Sequence, residues 1–210
     1  MVRLKIMKKT NQILISFLAV FLFAHVSFAQ ETKANVDGFW GMKFGSSVAE
    51  CRKIILSKNT GTIDAKNSSE TKIIIDNPEF AGKKPAFIAL LFVNDKFHTS
   101  KTFFKPTSAA RVFELYDSIK GELNDKYYKT KEDFKIFKSP YYDGDGYEAS
   151  AIRLGKATVA AFWTFNQSDE SKTVISLQIE ESLLVNLSYQ DDKIADQAIE
   201  KQKNKNAKDY

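Results

Sequence analysis

Val48, Cys51, Ile54 and Ile55 recur at spacings of three and four directly behind Gly45-Ser46-Ser47, a pattern that predicts a helix with one buried face. Glu50 stands three residues after Ser47. That spacing is a capping box, in which the Ser47 hydroxyl accepts from the Glu50 amide while the Glu50 carboxylate accepts from the Ser47 amide. Phe39, Trp40 and Phe44 precede the cap and are read as core, stapling the incoming chain to the first turn. Asn59 to Thr71 is rich in Asn, Ser, Thr, Gly and Lys, the composition of an exposed connection. Three consecutive isoleucines within Lys72 to Asp76 then predict a short strand, closed by Asn77 and Pro78. Ala86 to Val93 is apolar on both alternating faces, as for a central strand. Asn94, Asp95 and Lys96 turn it into Phe97 to Phe104, a hairpin.

Behind Pro106, with Thr107 or Ser108 as the opening residue, Val112, Phe113, Tyr116, Ile119, Leu123 and Tyr127 give the longest amphipathic pattern in the chain. Gly121 inside it costs about 1 kcal/mol relative to Ala and marks where the helix could bend or stop. Lys129 to Gly146 is a polar and aromatic connection. Four strands are predicted after it, Tyr147 to Leu154, Thr158 to Phe165, Thr173 to Glu180 and Leu183 to Tyr189, separated by short polar turns. From Asp191 the chain is charged, with Ile194 and Ile199 as its only anchors, and reads as a solvated helix or a frayed tail. The fold class is therefore α+β: two helix-then-antiparallel-meander units, ordered helix, three strands, helix, four strands. The possible halves are residues 38–105 and 106–190 of a domain spanning 30–190, followed by the tail 191–210.

The hydropathy of the first 29 residues changes this picture. Arg3, Lys5, Lys8 and Lys9 precede the apolar run Ile13 to Val26 and the small residues Ser27 and Ala29, the layout of a secretory signal peptide cleaved after Ala29. The run is shorter than the roughly 20 apolar residues a span requires. No Cys stands at the junction, which disfavours a lipoprotein, so the expected location is periplasmic or secreted. Cleavage removes four of the 31 Lys and Arg and no acid, leaving 27 bases against 26 acids. The basic character belongs largely to the leader, and nucleic acid binding, which rests on concentrated positive charge, is not expected. Of 210 residues 181 remain, enough for a core without disulfides, and Cys51, the only cysteine, can form none within the chain.

The opening Trp40-Gly41, Phe44-Gly45-Ser46-Ser47, read as W-G-x-x-F-G-S-S and followed by a capped helix and a strand meander, resembles small exported bacterial proteins of the BamE (SmpA/OmlA) and beta-lactamase-inhibitor-protein type. The resemblance implies an α+β envelope or secreted protein. It carries over no functional residue, and the absent lipid-attachment Cys departs from the BamE pattern.

Candidate chemistry concentrates in Ser139 to Glu148, SPYYDGDGYE. Asp143, Asp145 and Glu148 could offer oxygens to Ca²⁺, with Gly144 and Gly146 allowing a tight loop. An EF-hand loop places a further ligand where Tyr147 stands and a distal acid where Arg153 and Leu154 stand, so a Gly-rich turn leading into a strand is the plainer reading. Tyr127, Tyr128, Phe134, Phe137, Tyr141, Tyr142 and Tyr147 crowd the same connection, either as a recognition surface, with Tyr141, Tyr142 and Tyr147 as its contact residues, or as a flap packed on the sheet. His98, the only histidine after the leader, would have to act with Cys51 in a nucleophilic dyad, and both lie in predicted regular elements. No phosphate loop, zinc-ligand spacing or nucleophile elbow is present, and no cofactor is implied. The sequence thus points to an exported, noncatalytic protein that binds an unknown envelope protein or extracellular ligand. The alternative is a periplasmic or secreted hydrolase with carboxylate acid and base chemistry, whose paired acids cannot be recognised by spacing.

Overall fold

The computed structural model describes residues 35–167 and 171–207, with no account of the side chains of residues 205 and 206; all lie within the compact unit Lys33–Tyr210. The expected leader, residues 1–29, lies outside the described residues.

The chain enters through a two-stranded hairpin, β1 (Gly38–Phe39) and β2 (Met42–Lys43), and then forms helix α1 (Val48–Lys58). Both halves of the capping box are made: Glu50 N donates to Ser47 Oγ at 3.2 Å, and Ser47 N donates to Glu50 Oε2 at 2.8 Å. Cys51 and Ile55 of α1 are buried, with Val48 and Ile54 packed at the margin of the same core. Strands β3 (Thr62–Ile63), β4 (Lys72–Asp76), β5 (Phe87–Val93) and β6 (Lys96–Phe104) follow. The two-residue β3 falls within the stretch expected to be only a connection. Asn94 and Asp95, both at positive φ (50° and 59°), make the tight turn between β5 and β6.

A 3₁₀ turn at Ala109–Arg111 leads into α2 (Val112–Lys126), which runs through Gly121 without stopping and buries Val112, Tyr116, Ile119 and Leu123. Two expectations fail beyond it. Glu132–Phe137, taken as part of a connection, is a strand, β7, paired with the later β8. Conversely Glu148–Arg153, expected to lie within a strand from Tyr147 to Leu154, is a short helix, α3. Glu148, Ala149, Ala151 and Arg153 favour helix over strand, and Ala151 with Ile152 supplies the buried side. The rest of the meander is β8 (Ala157–Asn166), β9 (Lys172–Ile179) and β10 (Val185–Asp191), and the chain ends in α4 (Asp192–Asn206). The tail is thus helical; of its two expected anchors Ile194 is half-buried and Ile199 is 51% exposed, and Ala195 is buried beside them.

β3 to β10 form one antiparallel sheet in the order β3-β4-β5-β6-β10-β9-β8-β7. Each half runs from an edge strand to the centre, where β6 and β10 pair with Val185 opposite Phe104. One face carries Ile73, Leu90, Val185, Leu177 and Trp163 into the core under α1 and α2. The other face has a polar centre, Lys101, Asn186, Ser188, Ser176 and Gln178, flanked by the stacked pair Phe87 and Phe103 (ring centroids 4.5 Å) and the edge-on pair Phe134 and Phe162 (6.0 Å). Among the described residues no helix is long and apolar enough to cross a membrane.

Candidate functional site

The loop between β7 and α3 carries the sequence-predicted residues, and its shape follows from its own acids. Asp145 accepts from Tyr142 N through Oδ2 (3.0 Å) and from Tyr147 N through Oδ1 (2.7 Å), so one carboxylate closes the turn on both sides. Glu148 Oε1 accepts from Gly144 N at 2.9 Å, and Asp143 pairs with the Lys135 ammonium of β7. Gly144 and Gly146 sit at φ 84° and 79°, the left-handed conformation that a side chain would strain. Asp145 and Glu148 are therefore engaged by backbone amides of their own loop and Asp143 by Lys135, and among the described residues no three His, Cys, Asp or Glu are grouped to hold a metal.

The aromatic residues of this connection separate. Tyr127 packs at the margin of the core with its hydroxyl 3.3 Å from that of Tyr189. Tyr128 Oη accepts from Thr164 N (2.7 Å) and donates to Thr164 O (3.2 Å), extending the edge of β8. Tyr141 is half-buried and Phe137 intermediate, whereas Tyr142 and Tyr147 are 66% and 65% exposed. Of the eight exposed large hydrophobic side chains among the described residues, six (Tyr128, Phe134, Ile136, Tyr142, Tyr147 and Leu154) come from residues 128–154. Among the described residues the exposed apolar side chains thus come mainly from the segment of chain that holds β7, the following loop and α3.

Features that would serve catalysis are arranged otherwise. Cys51 is fully buried and its thiol is pushed up to about 12 by loss of solvation, with the Glu50 and Asp95 charges adding to it, so it is no nucleophile. Glu50 and Asp64 are held below the usual carboxylate range by hydrogen bonds, from Ser47 and from Asn67 respectively, the opposite of what a general acid needs. A groove of about 970 Å³ lies between Phe92–Asn94 and α4, where Lys201 Nζ donates to Asn94 Oδ1 at 3.2 Å. Among the described residues its lining holds a single acid, Glu200. A smaller apolar cleft of about 80 Å³ beneath α2, lined by Phe80, Phe104, Ile119, Leu187 and Tyr189, likewise holds one acid, Glu122.

His98 is separately engaged. Leu91 opposes Thr99 and Phe92 opposes Phe97, which leaves His98 as the extra residue of a β-bulge. Its Nδ1 is 2.7 Å from Thr99 Oγ1, whose proton goes to Gln190 Oε1 at 3.3 Å, so the imidazole donates through Nδ1. Burial pushes the His98 pKa below its ordinary 6.5. The unfolded chain then binds the proton more readily, so the contribution of His98 to stability is whole above pH 6.5 and is lost as pH falls from there toward the folded-state value. Urea denaturation between pH 7 and pH 5 is expected to show this loss, and a smaller one in His98→Gln; equal slopes in the two proteins would contradict it.

The chain matches no family model, no curated protein and no solved structure.

Proposed function

We propose that the protein is an exported, noncatalytic binding protein whose contact surface is the tyrosine loop Tyr141–Tyr147. The observation that supports this most directly is the pair Tyr142 and Tyr147, two large side chains left exposed on a loop that Asp145 and Glu148 hold in one shape. Tyrosines on such a loop offer contact area and a hydroxyl with little ordering cost on binding. The alternative of a carboxylate hydrolase gains no support from the clefts beneath α2 and beside α4, each lined by one acid among the described residues where a pair is required.

The loop reading is tested by Tyr142→Ala with Tyr147→Ala, made in the chain from Gln30 onward. Both side chains are exposed, so stability should change by only about 0.5 kcal/mol. Capture of a partner from envelope extract, quantified beside the unchanged protein, should fall sharply. Undiminished capture, or destabilisation of several kcal/mol, would remove the loop as the contact surface. Export is tested independently by intact mass of the protein recovered outside the cytoplasm, which should begin at Gln30; a mass that retains Met1 to Ala29 would contradict cleavage.

A further inference from the structure

β7 is the outer strand of the sheet and pairs on one side only, with β8. Lys138 N donates to Lys156 O at 2.8 Å, which continues the register Phe137 opposite Ala157 by one residue. In an antiparallel ladder, directly bonded pairs alternate with unbonded ones. Phe134 and Ile136 therefore bond to β8, while the N–H and C=O groups of Asp133, Lys135 and Phe137 point away from the sheet. The same alternation turns Thr164 N and Phe162 O of β8 toward this edge, where Tyr128 Oη and Thr130 Oγ1 take them. Among the described residues nothing comparable covers β7, whose residues Glu132 to Ile136 are all exposed. Phe134 and Ile136, 43% and 53% exposed, share the face opposite the core. A free strand edge beside exposed apolar side chains is a template for another strand.

We propose that β7 pairs antiparallel with β7 of a second copy of this chain, about a two-fold axis at Lys135, joining the two sheets into one. The occupant follows from the pattern of the strand itself. Centred on Lys135, the register sets Asp133 opposite Phe137 and Lys135 opposite its own copy, so all the outward N–H and C=O groups find partners. On the face opposite the core it sets Phe134 against Ile136 and Glu132 against Lys138, each twice by symmetry. The centre is apolar and both ends are paired charges. Among the described residues neither Glu132 nor Lys138 makes an ion pair within the chain. Sliding by two residues sets Glu132 against Ile136 or Phe134 against Lys138, and sliding by one turns bonded groups toward free ones. Lys135 itself puts no free charge at the axis, because its ammonium pairs with Asp143 and lies 5.0 Å from the Phe113 ring centre. This contact is separate from the tyrosine loop and does not depend on that reading.

The test uses the chain from Gln30 onward, which contains the compact unit Lys33–Tyr210. Sedimentation across a range of concentrations should show a monomer–dimer equilibrium. Glu132→Lys and Lys138→Glu should each weaken it about tenfold or more, because one substitution creates two like-charge pairs, and the two together should restore it. A second arm reads the register. In the bonded pair at the axis the Cα atoms stand about 5.5 Å apart, within disulfide range, whereas two copies of residue 132 lie about 20 Å apart. Mild oxidation should therefore link Lys135→Cys and leave Glu132→Cys monomeric, with Cys51 buried and silent. A monomer at every concentration overturns the proposal. So does a dimer indifferent to charge reversal or linked equally well at residue 132.

Discussion

Replacing Trp163 with Ala is expected to lower the unfolding free energy by about 3–5 kcal/mol, the range for truncating a large buried aromatic. Trp163 is fully buried on β8 opposite Ile175. Its Nε1 donates to Tyr128 O at 2.9 Å and also lies 3.2 Å from Asn124 Oδ1, which accepts from Thr130 N at 3.1 Å. The indole thus joins the last turn of α2, the chain leading to β7, and the sheet. Ala leaves a cavity and also takes the indole donor from Tyr128 O, while Asn124 Oδ1 keeps its bond from Thr130 N. Trp163→Phe separates these contributions: it keeps most of the volume and loses only the donor, so it should cost about 1–3 kcal/mol. Chemical denaturation of both variants checks the order, and a Phe variant as damaged as the Ala variant would show that the hydrogen bonds, not the packing, dominate.

The parts of the fold that the sequence made legible are those set by neighbouring residues. Ser47 and Glu50 cap α1 through contacts three residues apart, and the Asn94-Asp95 turn closes a hairpin between two apolar runs. Lys72–Asp76 is a strand at the predicted bounds because three isoleucines leave little alternative. What escaped depends on distant partners. β7 has a period of two in Phe134 and Ile136 against Asp133 and Lys135, so a signal was there. Its apolar side faces solvent and its charges face α2, where Lys120 meets Asp133 at 3.0 Å, the reverse of the usual inside-outside rule. From sequence alone the segment therefore reads as a connection. α3 was lost because Tyr147, Ala149 and Ala151 alternate over a stretch too short to distinguish the two periods.

The candidate site was legible in a similar part. Ser139–Glu148 is an Asp-bracketed, glycine-bearing turn, and Tyr142 and Tyr147 are exposed on it. The seven-aromatic cluster around it was not a cluster: residues 127 and 128 belong to the core margin and the β8 edge, and Phe134 to the open sheet face. Spacing along a chain that turns sharply and then re-enters a sheet cannot show which of these rings share a surface. The carboxylates posed the converse difficulty, because an acid aimed at backbone amides two or three residues away has the same sequence as one aimed at a cation.

Gly38→Ala is expected to destabilise the protein by about 3 kcal/mol, whereas Gly121→Ala is expected to stabilise it by about 0.5–1 kcal/mol. A Cβ at Gly38 would lie 2.1 Å from Met42 O and 2.8 Å from Lys43 Cα, both backbone atoms that no side-chain rotation can move. The β1–β2 hairpin must open to admit it. Phe39 would then lose its place between Phe80 (5.1 Å between ring centres) and Tyr189 (5.3 Å), where it is buried to 3% exposure. A Cβ at Gly121 meets nothing within 4 Å and removes the penalty of glycine inside a helix. The same one-carbon change therefore has opposite signs at the two sites. The pair also bears on the opening motif: Trp40 and Gly41 stand at φ 53° and 85°, and Gly45 at 84° with its N–H bonded to Phe97 O at 2.8 Å. Those positions fold the entry of the chain against β6, a structural duty that accounts for the residues without any ligand. Thermal and urea denaturation of the two variants decide it. A neutral Gly38→Ala would show that the hairpin contributes little to stability and would leave the Trp40-Gly41 turn without its structural explanation.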